Sequence, residues 1–348
     1  MRQLYKFGLA ALLFGACSVG ALAQENPTPD PADREFSKLG AGSGSFLNIP
    51  IGARATALGS SYAGVADDAT AMYWNPAGIT QMAGASVGYS FGLMFAGINH
   101  HFAGVTFPVG EQFRAGVSAL SYGTDDIEET TMFNQEGTGA TYRVRDLALG
   151  FTFAGQLTDQ FSFGVSGKFI NLTMASLSAN GVAFDFGTLY KPGLMGLRLG
   201  FSVHNLSGGV QYTGTALTQT GTTDQNTGNQ NPDAQLQAGE ASLPLIFRAG
   251  ISSDLLEGDD ANSLLVSTEF STASDRGEYV GLGVEYVWNK FVAARVGYQH
   301  GTDNAFGLTG GIGLSYETGS FDGSIDYSVR PHQDLGIVQQ ISASVRLQ

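Results

Sequence analysis

Over most of its length the chain alternates large apolar residues with small or polar ones at a period of two. In "DLALGFTFAG", Leu147, Leu149, Phe151 and Phe153 alternate with Asp146, Ala148, Gly150 and Thr152. "FSFGVSGKF" sets Phe161, Phe163 and Val165 against Ser162, Gly164 and Ser166, and "GLRLGFSVHN" sets Leu197, Leu199, Phe201 and Val203 against Arg198, Gly200, Ser202 and His204. At the end, Ile337, Ile341, Ala343, Val345 and Leu347 oppose Val338, Gln340, Ser342, Ser344 and Arg346. Residues two apart share a strand face, so each segment predicts a β-strand with one apolar and one polar side. A soluble sandwich with one wet face would also alternate. Length separates the two, because these segments run roughly 9–12 residues, enough to cross a bilayer when tilted, whereas soluble strands are nearer five or six.

About fourteen such segments follow Gly84, starting near Gly84, Ala96, Gln112, Tyr142, Gln160, Ser178, Gly196, Ser242, Asn262, Gly277, Lys290, Ala305, Ser320 and Gly336. Their links supply an independent check. In a transmembrane barrel with both termini in the periplasm, turns after even strands are short and loops after odd strands can be long. "PVGEQ", "QLTDQ", "KPGLMG", "LEGDDA", "WNK" and "ETGS" all follow even segments, and the two longest links, Gly123–Thr141 and Ser207–Ala241, both follow odd ones. The predicted fold is therefore an all-β, transmembrane antiparallel β-barrel of about 14 strands over residues 81–348. Its second residue set carries Arg114, Lys168, Asp185, Arg198, Arg248, Glu269, Glu285 and Arg346, which suit a polar lumen. The strand "AGINHHFAGVTF" is blurred, and His100 and His101 must take opposite faces, so they cannot share a metal ion.

The N-terminus fixes the compartment. Arg2 and Lys6 precede an apolar run from Phe7 to Val19, followed by Ala21-Leu22-Ala23, which predicts a signal peptide over residues 1–23. Cys17 leaves with that peptide, and Phe14-Gly15-Ala16 before it is a poor lipidation box. The mature chain then holds no cysteine, hence no disulfide and no thiolate metal site. Residues 24–45 form a Pro-rich stretch expected to be a periplasmic tether. A formal net charge of −14 excludes nucleic acid as a partner and leaves outer-membrane lipid as the surroundings.

One segment breaks the pattern. "GVADDATAMYWNPAGIT" predicts a helical turn within a plug spanning residues 46–80, because a pore of this strand number would leak if left empty. Asp67 or Asp68 caps the turn, Tyr73 and Trp74 with Met72 give an apolar face, Pro76 ends the helix and pushes Asn75 extended, and Ala77-Gly78 lead out to the first strand.

"NIPIGARATALGSSYAGVADDATAMYWNPAGIT" resembles the N-terminal signature of the PorV/PorQ family of outer-membrane barrels, similar to the long-chain fatty-acid transporter FadL, whose N-terminal hatch carries a related Asn-Pro-Ala element. "LGVEYVWNKFVAARVGYQHG", "GLTGGIGLSYETGSFDGSIDYSV" and "DFGTLYKPGLMGLRLGFSVHNLSG" resemble further blocks of that family, so the likeness covers nearly the whole mature chain. Two departures are the terminal Leu347-Gln348 in place of an aromatic residue and a long loop at Ser207–Ala241 rich in Gln and Thr. The resemblance implies a type IX secretion component that binds the secretion pore or secreted cargo proteins through extracellular loops, with Phe133 and Tyr212 as the aromatic anchors. The alternative it implies is a FadL-like transporter for a hydrophobic small molecule, which needs an apolar lumen pocket and a break in the wall.

Catalysis is the rival class. His300 with Asp303 and His332 with Asp334 are its only His–carboxylate candidates, both placed by parity at the extracellular rim. No Gly-x-Ser-x-Gly elbow, His-Glu-x-x-His pair or Walker loop accompanies them. "GTDD" and "EGDDAN" lack the spacing of a dedicated Ca²⁺ loop. No catalytic residue, metal or cofactor is expected.

Overall fold

The computed structural model describes residues 42–219, 234–259, 261–301, 307–332 and 336–347. The signal peptide, residues 24–41, Asp303 and Asp334 lie outside them. Fourteen long strands follow in chain order: β1 Ser86–Leu93, β2 Asn99–Val109, β3 Phe113–Gly123, β4 Val144–Gln156, β5 Phe161–Met174, β6 Leu177–Tyr190 and β7 Arg198–Ser207. The second half is β8 Ile246–Asp254, β9 Ser263–Ala273, β10 Arg276–Trp288, β11 Val292–Gly301, β12 Leu308–Glu317, β13 Phe321–His332 and β14 Gly336–Leu347. Each pairs antiparallel with its sequence neighbours, and β14 returns to pair with β1, from Leu93↔Gln339 to Ser86↔Arg346, which closes the barrel. Strand number is as the two-residue pattern predicts, and the two longest links follow the odd strands β3 and β7, although the links after β5 and β9 are short.

The alternation sorts the two faces. Phe151, Val296, Ile312 and Ile325 are 56–62% exposed on the outside, where hydrocarbon covers them. Ser86, Ser202, Ser328 and Thr152 are at most 2% exposed on the inside. His100 points inward and is buried, while His101 points outward and meets the Tyr89 hydroxyl through Nδ1 at 2.9 Å.

Residues 42–82 fill the lumen. They form a 3₁₀ turn at Ser45–Asn48, α1 at Ala53–Ala57, α2 at Ala71–Trp74 and a second 3₁₀ turn at Pro76–Gln81. Helix α2 is only four residues long because Asn75 is extended (φ −161°, ψ 105°) and Pro76 opens the next turn. The chain enters at the loop end: Ser43 N donates to Ser242 O at 2.9 Å, and Ser43 Oγ lies 2.7 Å from the Tyr212 hydroxyl. It leaves at the turn end, where Leu347 N donates to Ala85 O. Residues 42–45, expected in a periplasmic tether, thus sit at the opposite mouth, because the segment runs down the lumen before β1 begins.

Candidate functional site

The plug meets the wall where the wall has no side chains. A Cβ on Gly187 would strike Asn75 Oδ1 and stand 2.8 Å from Pro76 Cδ, one on Gly164 would strike the Pro76–Ala77 peptide, and one on Gly200 would strike Ala63 O. Across the barrel, a Cβ on Gly283 would stand 2.7 Å from Leu58 O and one on Gly311 2.6 Å from Ala57 Cβ. The inward glycines therefore let the plug backbone touch the strands directly. Gly78 does similar work inside the plug, against Ala66 and Ala71, rather than easing the exit to β1.

Asn75 is the central fastener. Its Nδ2 donates to Ala63 O at 2.9 Å and to Thr188 O on β6 at 3.0 Å, while its Oδ1 accepts from Ala77 N at 3.2 Å. That last bond caps the 3₁₀ turn that Pro76 begins. Asn75 and Pro76 pack on β5–β6, not against Arg114 or Arg346 as their inward position would allow. Arg114 instead donates to Met82 O and Gly84 O, and Arg346 to Asp67 O at 3.0 Å.

The last carbonyls of α2 have no partners within the helix, and the wall supplies them. Ser202 Oγ donates to Trp74 O at 3.0 Å, His204 Nε2 lies 3.1 Å from the same oxygen, and Arg248 Nη1 donates to Tyr73 O at 3.1 Å. The Arg248 guanidinium also lies over the Trp74 ring at 4.7 Å. Behind them Asp185 pairs with Lys168 at 2.8 Å and accepts from Asn205 N at 2.8 Å. This happens at a bulge, where His204 and Asn205 of β7 together oppose Asp185 of β6. Glu269 Oε2 accepts from Tyr62 N at 2.8 Å and from Ala63 N at 2.6 Å.

Ser202, His204 and Asp185 reproduce the order of a nucleophile, base and acid. Ser202 Oγ is 2.9 Å from His204 Nε2, whose Nδ1 is 3.4 Å from Asp185 Oδ2. All three are at most 2% exposed, and the position a substrate carbonyl would need is filled by Trp74 O. They dock a helix end. His300 stacks beside Tyr298 and His332 lies 6.2 Å from Phe95, both on the loop-end half of their strands.

At the turn end, ion pairs join plug and wall. Arg54 donates to Glu285 through two nitrogens at 2.8 Å each and to Asp67 at 2.6 Å. Arg295 bridges Glu285 to Asp326, and Arg198 stands 3.5 Å from Asp67. Beside them is a polar cavity of about 260 Å³ between the plug and β10–β14. Burial alone would raise the Asp67 carboxyl, but Arg54 and Arg198 hold it below the usual range. Burial and then Asp67 push Asp68 above that range. Asp68 Oδ1 accepts from Thr70 N at 2.8 Å, so it, not Asp67, shapes the entry to α2.

At the loop end part of the lumen is apolar, although Asn48, His100, Asp275 and Arg330 are buried there too. Phe46 and Leu47 (2% exposed each) fill a pocket walled by Phe102, Leu120, Ile170, Leu172, Val210 and Leu243, with the Phe46 ring 6.3 Å from that of Tyr122. The Tyr73 hydroxyl is 3.0 Å from both Leu47 O and Ile49 O, and Trp74 Nε1 donates to Ile51 O at 3.0 Å, so the two expected apolar side chains also tie this arm down. Tyr212 belongs to this closure rather than to a free loop, while Phe133 is 93% exposed. The eight lumen candidates all lie on inward positions; the sequence pattern missed Arg54, Phe46, Leu47 and the Ser202–His204 pair. The "FSVHN" run, with two polar residues two apart on the inward face, was the available signal for that pair.

The closed 14-stranded antiparallel barrel is a FadL-like fold. No family model and no curated protein matches the chain. Among solved structures it is similar to the toluene transporter TbuX of Ralstonia pickettii, with a TM-score of 0.54, 15% identity, and coverage of 85% of this chain and 98% of that one. It is also similar to the monoaromatic hydrocarbon channel CymD (TM-score 0.53, 16% identity, coverage 86% and 98%) and to a FadL homologue of Pseudomonas aeruginosa (0.51, 14%, 86% and 98%). At these identities the likeness is one of fold. The first two of these neighbours are described as a toluene transporter and a monoaromatic hydrocarbon channel.

Proposed function

We propose that the protein admits small hydrophobic molecules through the outer membrane, and that a signal peptide cleaved after Ala23 takes it there. The observation that carries this is the apolar pocket at the loop end, which the chain fills with its own Phe46 and Leu47. A lumen built only to be blocked has no need of an apolar pocket. Small hydrophobic molecules, of which the toluene carried by similar barrels is an example, match the chemistry of that pocket. Each strand is hydrogen-bonded to both neighbours among the described residues; the nearest approach to the wall break this reading anticipates is at β6–β7, where a bulge interrupts the ladder and residues 179–182 of β6 have no partner on β7. The type IX secretion reading has only the motif resemblance behind it.

The test is uptake and binding of radiolabelled toluene and of a long-chain fatty acid by the barrel in proteoliposomes. The expected result is saturable uptake of at least one ligand, increased by Phe46→Ala, which empties part of the pocket. Uptake no greater than that of protein-free vesicles, for wild type and variant alike, overturns the proposal.

A further inference from the structure

The passage of small molecules leaves one ordered element without a role. Residues 124–143, between β3 and β4, rise from the loop end as a hairpin. Thr124 N donates to Val144 O at 3.1 Å, Ile127–Glu128 pair with Thr141–Tyr142, and Glu129 N donates to Ala140 O at 2.8 Å. Thr138 N donates to Glu129 O at 2.8 Å, and Thr131 and Asn134 exchange backbone bonds across the tip at 3.1 and 3.2 Å. Arg143 pins the base to Asp126 at 2.7 Å. The tip therefore has a defined shape, and it carries Met132 and Phe133, 84% and 93% exposed.

Among the described residues no other large apolar side chains stand so far into solvent; Leu308, at 65%, comes next. The outward residues of the strands have hydrocarbon to cover them. Phe133 lies ten residues beyond the end of β3, up to roughly 30 Å from it at ~3.3 Å per residue, outside the strands whose outward faces the hydrocarbon covers. None of these residues lines the lumen pocket. Charge narrows what can cover them. The hairpin holds five carboxylates, on Asp125, Asp126, Glu128, Glu129 and Glu136, against the single arginine. An anionic lipid surface is repelled by such a finger, whereas a basic protein is steered to it.

We propose that this hairpin is a docking arm for a second protein at the cell surface, one whose basic surface surrounds an apolar socket for Met132 and Phe133. An aromatic anchor within a charged rim is the arrangement in which a few side chains dominate affinity. The inference stands on the hairpin alone and is independent of what passes through the lumen.

The test places a photo-crosslinking benzoylphenylalanine at position 133 of the full-length protein in its native cells, with position 132 as a second site. Retained heat-modifiable migration on gels establishes that each variant is folded. The expected result is one discrete protein adduct whose crosslinked peptide is rich in Lys and Arg. It should fall at least about fivefold with Glu128→Lys and Glu129→Lys together, and by a similar factor at ~0.5 M salt, where surface charges are screened within a few ångströms. Adducts to lipid alone, an adduct indifferent to both charge reversal and salt, or no adduct from either folded variant overturns the proposal.

Discussion

Asn75 of the plug donates to the carbonyl of Thr188 in strand β6 at 3.0 Å, and the hydrogen bond passes over a wall position that only glycine can occupy. Asn75 also satisfies Ala63 O and caps the turn at Ala77. Replacing it by Ala leaves buried groups unpaired at about 1–3 kcal/mol each. We expect Asn75→Ala to lower the temperature of the heat-modifiable transition and to raise permeability to a small dye in reconstituted vesicles. An unchanged transition would show that the plug is held elsewhere.

The glycine cradle makes a second prediction. Gly187→Val sets a branched side chain against Asn75 and Pro76, and overpacking of this kind costs about 1–3 kcal/mol. Gly208→Ala, at a position with nothing within 4 Å, serves as its control. Dye leakage should rise in the first variant and stay at the wild-type level in the second.

The neighbouring acids Asp67 and Asp68 respond to pH in opposite senses. Asp67 is held below the ordinary range, so its contribution is complete above the unfolded value of ~3.9 and is lost as pH falls through the lower folded value. Asp68 is raised, so its contribution is present below the unfolded value and is lost as pH rises through the higher folded one. Asp68→Asn should therefore make thermal stability near neutral pH equal to or greater than wild type, while Asp67→Asn should lower it. Melting curves of both variants between pH 4 and 8, in steps of about one unit, distinguish the two.

Ser202 is spent on the end of α2. A fluorophosphonate that labels activated serines should leave the protein unmodified, and Ser202→Ala should cost about 1 kcal/mol of plug docking with no loss of any esterase signal. Labelling of the wild type that disappears in Ser202→Ala would make the triad a catalytic one.

Strand number, strand positions and the lumen face were legible because alternation and link parity are local, and Phe151 or Ser202 declares its side from two neighbours on either hand. The extended Asn75 was legible for the same reason, since Pro76 restricts the residue before it. What the plug touches was not. Asn75 reaches Thr188, Trp74 reaches Ser202 and Arg54 reaches Glu285 across more than a hundred residues each. The wall glycines looked like generic lumen filler until Gly164 and Gly187 proved to be footprints of one tetrapeptide. The direction of the arm was hidden too, because nothing in "GSGSFLNIP" says from which mouth it enters.

The pairing of β1 with β14 places a constraint on biogenesis. The plug precedes the first strand and the seam needs the last, so the cylinder can be zipped shut only after the whole polypeptide is available. By then residues 42–82 must already lie across the sheet as it curls, since a finished wall whose glycines touch the plug backbone leaves no clearance for a late entry. The machinery that inserts this protein therefore has to accept a wrapped parcel rather than an open tube.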